Sequence, residues 1–156
     1  MKRILILLFI IASGLTSCDK DYGTFNSDNR PEIPVTFPDA TTFGFNPYIT
    51  YSLSSGKEIE LKMSIPATSG RTIKEITKVA GGTSSVNAAS LNASTYITSP
   101  IAVNSTEYVF KTTLQEFISK AKVTPVAGGE IAFMFLITLD DGTTIIPVQV
   151  RARIVA

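Results

Sequence analysis

The sequence predicts an all-β domain, an antiparallel β-sandwich with one short helix, behind an N-terminal secretion signal. Several short segments alternate apolar and polar residues with the two-residue period of a strand, and residues 58–65 do so without a break. Gly, Pro, Asn and Asp lie between these segments, where tight turns need them. Only residues 114–121 have the three- and four-residue apolar spacing of an amphipathic helix.

The first 18 residues carry the signals of secretion and lipidation. Two basic residues precede an apolar run, residues 4–11, that is too short to span a bilayer. The motif Leu15-Thr16-Ser17-Cys18 follows, and Cys18 is the only cysteine in the chain. This motif resembles the lipobox of bacterial lipoproteins, whose cysteine receives a diacylglycerol and becomes the new N-terminus. The resemblance implies that Cys18 carries acyl chains such as palmitate and that residues 1–17 are removed.

The rest of the chain divides into a spacer and one domain. Residues 31–38 contain three prolines in a polar context, which favours extended chain between the lipid and the domain. An alternative is equally good: residues 33–37 alternate and form a first strand, which Pro34 confines to a sheet edge. The predicted organisation is a signal peptide, a lipidated N-terminus with its spacer, and a β-sandwich domain: residues 1–17, 18–39 and 40–156.

Two strands and a turn are predicted near the start of the domain. Residues 49–53 and 58–65 both alternate apolar with polar side chains. The residues between them, Ser54-Ser55-Gly56-Lys57, have the composition of a turn. These features predict a hairpin with one face in the core and the other in water.

The middle of the chain is less regular. In residues 71–80 the large apolar side chains lie three apart, which fits a short helix or, as we prefer, a bulged strand. Residues 81–94 are rich in Gly, Ser, Asn and Ala and are predicted to be mostly loop. Residues 96–103, interrupted by a proline, and residues 108–110 are predicted edge strands. Thr113-Leu114-Gln115-Glu116 is a capping box that begins the helix.

The C-terminal hairpin is the centre of the predicted structure. Residues 131–139 are apolar on both faces, as in a central strand, and Asp141-Gly142 is typical of a two-residue type I′ turn. This turn sets the register of the core-facing pairs: Phe133 with Val150, Phe135 with Val148, and Ile137 with Ile146. The pairs on the opposite, mixed face are Ala132 with Arg151, Met134 with Gln149, and Leu136 with Pro147.

The composition excludes several classes of site. The chain has no histidine, so Ser-His-Asp triads and histidine-ligated zinc sites are excluded. The glycines form no phosphate-binding motif. Without residues 1–17 the formal charge is near −1, and no basic stripe that would bind nucleic acid is present. Asp140-Asp141 is the only adjacent carboxylate pair and belongs to a turn, so we predict no enzymatic activity and no cofactor.

The order of these features resembles the small immunoglobulin-like lipoproteins of Bacteroidota. Residues 45–146 carry the resemblance, mainly in segments 108–117, 129–133 and 138–142. Similar proteins include those encoded beside SusC/SusD-type outer-membrane uptake systems and the N-terminal domain of SusE-type proteins. The resemblance implies an immunoglobulin-like sandwich, lipid-anchored in the outer membrane. Asp19-Lys20-Asp21 loosely resembles the surface-export signal of such lipoproteins, which implies exposure on the cell surface.

The resemblance also implies a role without catalysis. The expected function is that of an accessory or binding module in glycan or nutrient uptake, and the alternative is a structural or protein-interaction module of the outer membrane. The expected partners are the membrane, through the lipid anchor, and a glycan or an outer-membrane uptake protein.

Two kinds of binding site follow from the residues. A glycan site needs exposed aromatic side chains, and packing at strand edges competes with that role for the three candidates: Tyr48, Tyr96 and Tyr108. A protein interface is predicted on the mixed face of the C-terminal hairpin, unless the helix of residues 114–121 covers it. That apolar patch consists of Met134, Leu136, Ile145 and Pro147. A metal site is disfavoured, because a tether offers no preformed cage for its candidate ligands: Asp19, Asp21 and Asp28.

Overall fold

The structure, a computed structural model, describes residues 31–42 and 46–156. The elements of this part of the chain are β1 (Tyr48–Ser52), β2 (Ile59–Ser64), a 3₁₀ turn (Ala67–Ser69), β3 (Ile73–Gly82), α1 (Ala88–Ala93), β4 (Ile101–Ser105), β5 (Glu107–Thr112), α2 (Leu114–Ala121), β6 (Glu130–Leu139), β7 (Thr144–Ile145) and β8 (Val150–Val155). The predicted all-β character is confirmed, with two short helices where the sequence predicts one.

The strands form two sheets that share one core. The large sheet has the order β1-β8-β6-β3-β4, with the short β7 also beside β6, and the small sheet consists of β2 and β5. Alternate residues of β6, among them Phe133 and Phe135, are fully buried. Phe110 of β5 meets both rings, with centroids 6.0 and 5.3 Å away. An aromatic cluster therefore joins the sheets in a sandwich-like arrangement.

The predicted hairpin of residues 49–53 and 58–65 is wrong. β1 lies in the large sheet and runs parallel to β8, with Tyr48 opposite Arg151. β2 lies in the small sheet, antiparallel to β5. Both strands form where their alternation predicts them, but the turn between them carries the chain from one sheet to the other. The sandwich is consequently not purely antiparallel, because β1 pairs with a strand from the far end of the chain.

Residues 33–41 cross between the sheets ahead of β1. Thr36 exchanges two backbone hydrogen bonds with Ser64 at the edge of β2, at 2.8 and 2.9 Å, and Thr41 exchanges two with β1. Phe37, between these two bridges, is buried in the core. This segment therefore packs on the domain, as the first-strand alternative requires, although only Thr36 pairs with β2.

β3 is the bulged strand that the sequence favours over a helix. Its pairing with β6 shifts register twice, between Ile73 and Glu75 and between Ile76 and Lys78. Because each bulge adds a residue, the three-residue spacing of Ile73, Ile76 and Val79 sends all three side chains into the core. The prediction of a bulged strand is confirmed.

The predicted register of the C-terminal hairpin is right at its base. Phe133 pairs with Val150, and Ala132 pairs with Arg151. Near the turn the register differs by one residue, because the loop is Asp140-Asp141-Gly142 and not a two-residue turn. The loop begins as a β-turn, in which Gly142 N–H donates to Leu139 O at 3.0 Å, and Gly142 has a φ of 86° that favours glycine.

The register changes within residues 146–149, which leave the sheet between β7 and β8. Ile137 consequently pairs with Ile145. Ile146 and Val148 are exposed instead of facing the core. The predicted pairs that depend on the two-residue turn are therefore wrong: Phe135 with Val148, Ile137 with Ile146, Met134 with Gln149, and Leu136 with Pro147.

α2 forms where the sequence predicts a helix. Its N-cap Thr113 accepts a hydrogen bond from the backbone N–H of Glu116 at 3.0 Å, which is half of the predicted capping box. The Glu116 side chain bonds Lys120 and Thr112 instead of the N-cap backbone. Phe117 of this helix is fully buried, so α2 completes the core between the sheets.

α1 lies in the segment predicted to be mostly loop, residues 81–94. A reciprocal capping box of Asn87 and Ser90 begins this six-residue helix. The helix packs on β3 and β6 on the outer face of the large sheet, where it buries Leu91. The prediction of loop is wrong because the burial of one leucine, together with the capping box, stabilises a short helix.

Candidate binding surface on the large sheet

The predicted lipidation site lies outside the described residues. This holds for Cys18 and for the lipobox Leu15-Thr16-Ser17, and equally for Asp19, Asp21 and Asp28. The described chain starts at Pro31, beside the turn between β6 and β7. There it lines a groove of about 450 Å³, together with side chains that include Arg71, Leu139 and Asp141.

The three candidate tyrosines occupy different environments. Only 3% of Tyr96 is exposed, so this residue cannot present its ring to a ligand. Tyr108 lies on the core side of β5 and packs against the core. Tyr48 is partly exposed on the outer side of β1. Of the three, Tyr48 is the one that remains a candidate.

A buried polar network explains the position of Tyr96. Its hydroxyl lies 3.0 Å from the hydroxyl of Thr112, which donates to Glu116 Oε2 at 3.1 Å. Burial raises the pKa of Tyr96 to about 12, with the hydrogen bond to Thr112 opposing and the charge of Glu116 assisting this rise. Lys120 pairs with Glu116 and lies 5.1 Å from the centroid of the Tyr96 ring. The network fixes α2 to the core.

Tyr48 belongs to a compact group on the outer face of the large sheet. We call this group the Tyr48 surface: Tyr48, Glu130, Arg151 and Arg153. Parallel pairing of β1 with β8 puts Tyr48 opposite Arg151, and antiparallel pairing of β8 with β6 puts Arg153 opposite Glu130. The guanidinium carbon of Arg153 lies 3.6 Å from the centroid of the Tyr48 ring. This cation–π contact orients the ring.

Both arginines of the Tyr48 surface bind Glu130. Arg151 Nη1 donates to Oε2 and Arg153 Nε donates to Oε1, each at 2.9 Å. Partial burial would raise the pKa of Glu130, but the hydrogen bonds and charges of the two arginines outweigh it, so the pKa lies below the ordinary 4.5. At neutral pH the surface therefore presents one carboxylate held between two guanidinium groups, next to an aromatic ring.

The predicted apolar patch on the mixed face is not an open surface. Ile145 and Pro147 are buried. Met134 and Leu136 pack against a small apolar cluster beneath α1, which we call the outer cluster: Ala80, Val86, Leu91 and Ala132. The helix beside Met134 and Leu136 is α1 and not the predicted helix α2, whereas Ile145 belongs to the main core. The open apolar patch that a protein interface on these residues requires is therefore not present.

Asp140-Asp141 forms a turn, as predicted. Asp141 Oδ1 accepts a hydrogen bond from the backbone N–H of Thr143 at 2.9 Å, and its Oδ2 lies 3.2 Å from Arg71 Nη2. The bonds from Thr143, ahead of the charge of Arg71, lower the pKa of Asp141. Among residues 31–42 and 46–156, no three Cys, Asp or Glu side chains are grouped as metal ligands.

Comparisons with known proteins give no relative of this chain. No family model, no curated protein and no solved structure matches it. In the part that the structure covers, no helix has the length and apolar character needed to cross a membrane.

Of the residues in the Tyr48 surface, the sequence predicts only Tyr48 as a candidate. The confirmed base register of the C-terminal hairpin already implies that Glu130 lies opposite Arg153, and this opposite-charge pair is the signal that could have located the surface. Tyr48 could not be added to the pair, because the predicted hairpin places β1 beside β2. Only the parallel pairing with β8 brings the four side chains together.

Proposed function

We propose that this chain is a lipid-anchored protein of the bacterial outer membrane, exposed on the cell surface, whose immunoglobulin-like domain is a non-catalytic binding module in glycan or nutrient uptake. The observation that carries the proposal is the lipobox ending in Cys18, the only thiol of the chain, directly after an apolar run of signal-peptide length. Two or more acyl chains hold a protein firmly on a bilayer, whereas one chain binds it only marginally.

The geometry of the domain supports an N-terminal tether. Pro31 lies beside Leu139, at the end of β6 that carries the turn. The C-terminal residue Ala156 accepts a hydrogen bond from Ser52 Oγ at 2.9 Å, at the opposite end of the strands. Residues 19–30 can separate Cys18 from Pro31 by at most about 45 Å.

The strand pairing supports the immunoglobulin-like assignment. In that fold strands B and E share one sheet, and strands C, F and G share the other, which C′ extends. Here β2 and β5 correspond to B and E, while β3, β6 and β7–β8 correspond to C, F and G. β4 lies beside β3, in the position of C′. The position of strand D, beside E, has no equivalent among the described strands.

The binding site in this proposal is the Tyr48 surface. An aromatic ring gives a sugar an apolar face to contact, and fixed carboxylate and guanidinium groups give its hydroxyls hydrogen-bond partners. Tyr48 and Arg153 supply the first kind of contact, and Glu130, held by both arginines, supplies the second. The site is a surface on a sheet and not a deep pocket, which suits a polymer better than a small molecule.

Retention of the full-length protein on a panel of polysaccharide affinity gels tests the binding role. We expect Tyr48→Ala to abolish retention, because it removes the ring and its stacking partner for Arg153. Tyr108→Phe is the matched control, since this ring packs against the core, and it should leave retention unchanged. No retention of the unaltered protein on any gel would reject glycan binding and favour a structural or protein-interaction module.

Metabolic labelling with a palmitate analogue tests the anchor. The unaltered protein should take up the label and partition into detergent, and protease added to intact cells should digest it. Cys18→Ser should remove the label and release the protein into the aqueous phase, because no other thiol can replace Cys18. An unlabelled wild-type protein in the aqueous phase would contradict the proposed anchor.

A further inference from the structure

The small sheet has an open edge along β5. Ile65 N–H donates to Thr106 O at 2.9 Å, on the β5 side, whereas Ser64 exchanges its backbone bonds with Thr36 on the other side. Backbone groups of successive residues point to opposite sides of an antiparallel strand. Alternate residues of β5 therefore direct their N–H and C=O groups away from β2: Glu107, Val109 and Lys111.

Within the described ranges, no strand pairs with this side of β5. β4, which precedes it, pairs with β3 in the large sheet. The N–H of Glu107 is bonded locally, to Ser105 Oγ at 3.2 Å. In an immunoglobulin-like sheet this edge is covered by strand D. The open edge of β2 is shorter, because Thr36 occupies part of it.

The side chains on this edge are complementary to those of a second β5 strand that runs in the opposite direction. Glu107, Val109 and Lys111 all point to solvent, and Val109 is 36% exposed. When two such strands pair antiparallel about Val109, each Glu107 lies opposite Lys111 of the other strand, and the two valines face each other. A shift of two residues places Glu107 opposite Val109, and a shift of four places two like charges opposite each other. One register is therefore favoured.

Charged residues of β2 add to this complementarity between two copies. Lys111 Nζ lies 2.7 Å from Glu60 Oε1, and Lys62 Nζ lies 3.2 Å from Glu107 Oε2. Paired strands would join these contacts into one row of alternating charges, from Glu60 and Lys111 of one copy to Glu107 and Lys62 of the other. Charge complementarity thus identifies the occupant of the edge as a second copy of this chain.

We propose that two copies pair edge to edge through β5, antiparallel and with the two-fold axis at Val109. The two small sheets become one sheet of four strands, and the second copy takes the place of strand D. The hydrogen-bonded positions are Glu107, Val109 and Lys111 in both copies. An interface of this length lies at the small, transient end of protein contacts. Attachment of both copies to one membrane, which depends on the proposed anchor, raises their effective concentration.

Disulfide formation at the two-fold axis tests the pairing. In a hydrogen-bonded antiparallel pair the opposed Cα atoms lie about 5.5 Å apart, within the range of a disulfide. Val109→Cys in the full-length chain should therefore give a covalent dimer under mild oxidation. Lys62→Cys lies on the same solvent face but on β2, away from the axis, and is the matched control. Equal cross-linking of both variants, or none with Val109→Cys in a folded protein, would overturn the proposal.

Charge variants test the register. On the Val109→Cys background, Lys111→Glu or Glu107→Lys alone puts like charges opposite each other twice and should lower the dimer yield about three- to tenfold. A mixture of these two variants restores both opposite-charge pairs and should give the mixed dimer at the yield of Val109→Cys alone. Equal yields for single variants and mixture would show that charge does not select the partner, and would overturn the proposed register.

The same experiments separate this proposal from that of the anchor. Val109→Cys is also examined in a Cys18→Ser chain, purified and concentrated, in which Val109→Cys supplies the only thiol. A dimer there supports pairing through β5 whether or not the natural chain is acylated, and its absence at every concentration overturns the pairing. A disulfide dimer of the unaltered chain would instead reveal a free Cys18 and contradict the anchor.

Discussion

The two faces of the large sheet bury apolar side chains in different ways. On the inner face the aromatic rings of both sheets and of α2 meet, and Phe117 and Phe133 have centroids 5.2 Å apart. On the outer face the cluster beneath α1 contains four buried residues, and Leu91 is the largest of them. The inner cluster is continuous across the domain, whereas the outer cluster depends on a single six-residue helix.

The helix of the outer face is held by polar contacts as much as by Leu91. Lys78 Nζ donates to Asn92 O at 2.9 Å, at the end of α1, and Ser94 Oγ donates to Val79 O at 2.6 Å. A helix of six residues is not stable by itself in water, so α1 is stabilised by these hydrogen bonds and by the burial of Leu91. The inner face is therefore buried by the periodic apolar residues of the strands, whereas the outer face is buried by a few individual residues that hold one helix.

Truncation of Phe133 should break the inner cluster. The ring contacts Tyr96, Phe110 and Phe117, with centroids 6.1, 6.0 and 5.2 Å away, so its loss leaves a cavity that rigid neighbours cannot fill. Phe133→Ala is expected to lower the free energy of unfolding by about 3–5 kcal/mol, measured by urea denaturation. Val126→Ala is the control, because Val126 is 63% exposed, and should change it by less than about 0.5 kcal/mol.

The inner face is also the part that the sequence predicts best. The predicted pairing of Phe133 with Val150 is confirmed, although the two-residue turn used to set it is wrong, and the bulged strand predicted from the three-residue spacing in β3 is confirmed. Both signals are local, because each needs only the residues of one strand and its hairpin partner. The mate of β1 could not be found in this way, since a parallel neighbour across the whole chain leaves no periodic mark near Tyr48.

The outer face was predicted poorly for a related reason. Residues 81–94 contain few large apolar side chains, and their composition is that of a loop. Nothing local distinguishes Leu91 from a leucine in a loop, because its burial depends on Ala80 and Ala132 of two other strands. The Tyr48 surface, on the same face, combines three strands and was missed except for Tyr48.

Truncation of Leu91 should break the outer cluster at a smaller cost. Leu91 is fully buried, but α1 lies at the surface and can move into the space that Leu91→Ala leaves. We expect a loss of about 2 kcal/mol in the free energy of unfolding, at the low end for a buried leucine. Asn92→Ala, exposed on the same helix, should have almost no effect. A loss from Leu91→Ala equal to that from Phe133→Ala would contradict the distinction between the clusters.

Gly81 and Gly82 are neighbours in β3 and lie on opposite faces of the large sheet, so substitutions there compare the two faces within one strand. A Cβ on Gly81 would lie 2.8 Å from Tyr96 Cε2 and 3.0 Å from Phe117 Cε2, in the inner cluster. A Cβ on Gly82 would lie 3.7 Å from Val86 Cβ, an ordinary contact in the outer cluster. Gly81→Ala should therefore cost about 1–2 kcal/mol of unfolding free energy. Gly82→Ala should be neutral or stabilising by a few tenths of a kcal/mol, because it reduces the entropy of the unfolded chain.

Melting curves of the two variants in one buffer check this prediction. Both substitutions add the same methyl group to the same strand, so their difference isolates the space available on each face. Equal destabilisation by the two substitutions would mean that this end of β3 tolerates no side chain on either face. The inner cluster would then not be more closely packed than the outer cluster.

The polar part of the outer face should respond to acid. The arginines of the Tyr48 surface lower the pKa of Glu130 below 4.5, so its stabilisation is present at higher pH and is lost as pH falls through the folded-state pKa. Because 28% of the Glu130 side chain is exposed, we expect its contribution to stay below about 1 kcal/mol. Urea denaturation of wild type and Glu130→Gln at about pH 7 and about pH 3 measures it.

The two proteins should differ in unfolding free energy at neutral pH and converge in acid, because protonation of Glu130 removes the charge that Glu130→Gln lacks at every pH. Equal unfolding free energies of the two proteins at both pH values would show that the arginines stabilise the fold by packing over the sheet and not through the carboxylate. The outer face would then depend on apolar contacts at both of its ends, beneath α1 and at Tyr48, and its contrast with the inner face would be one of size alone.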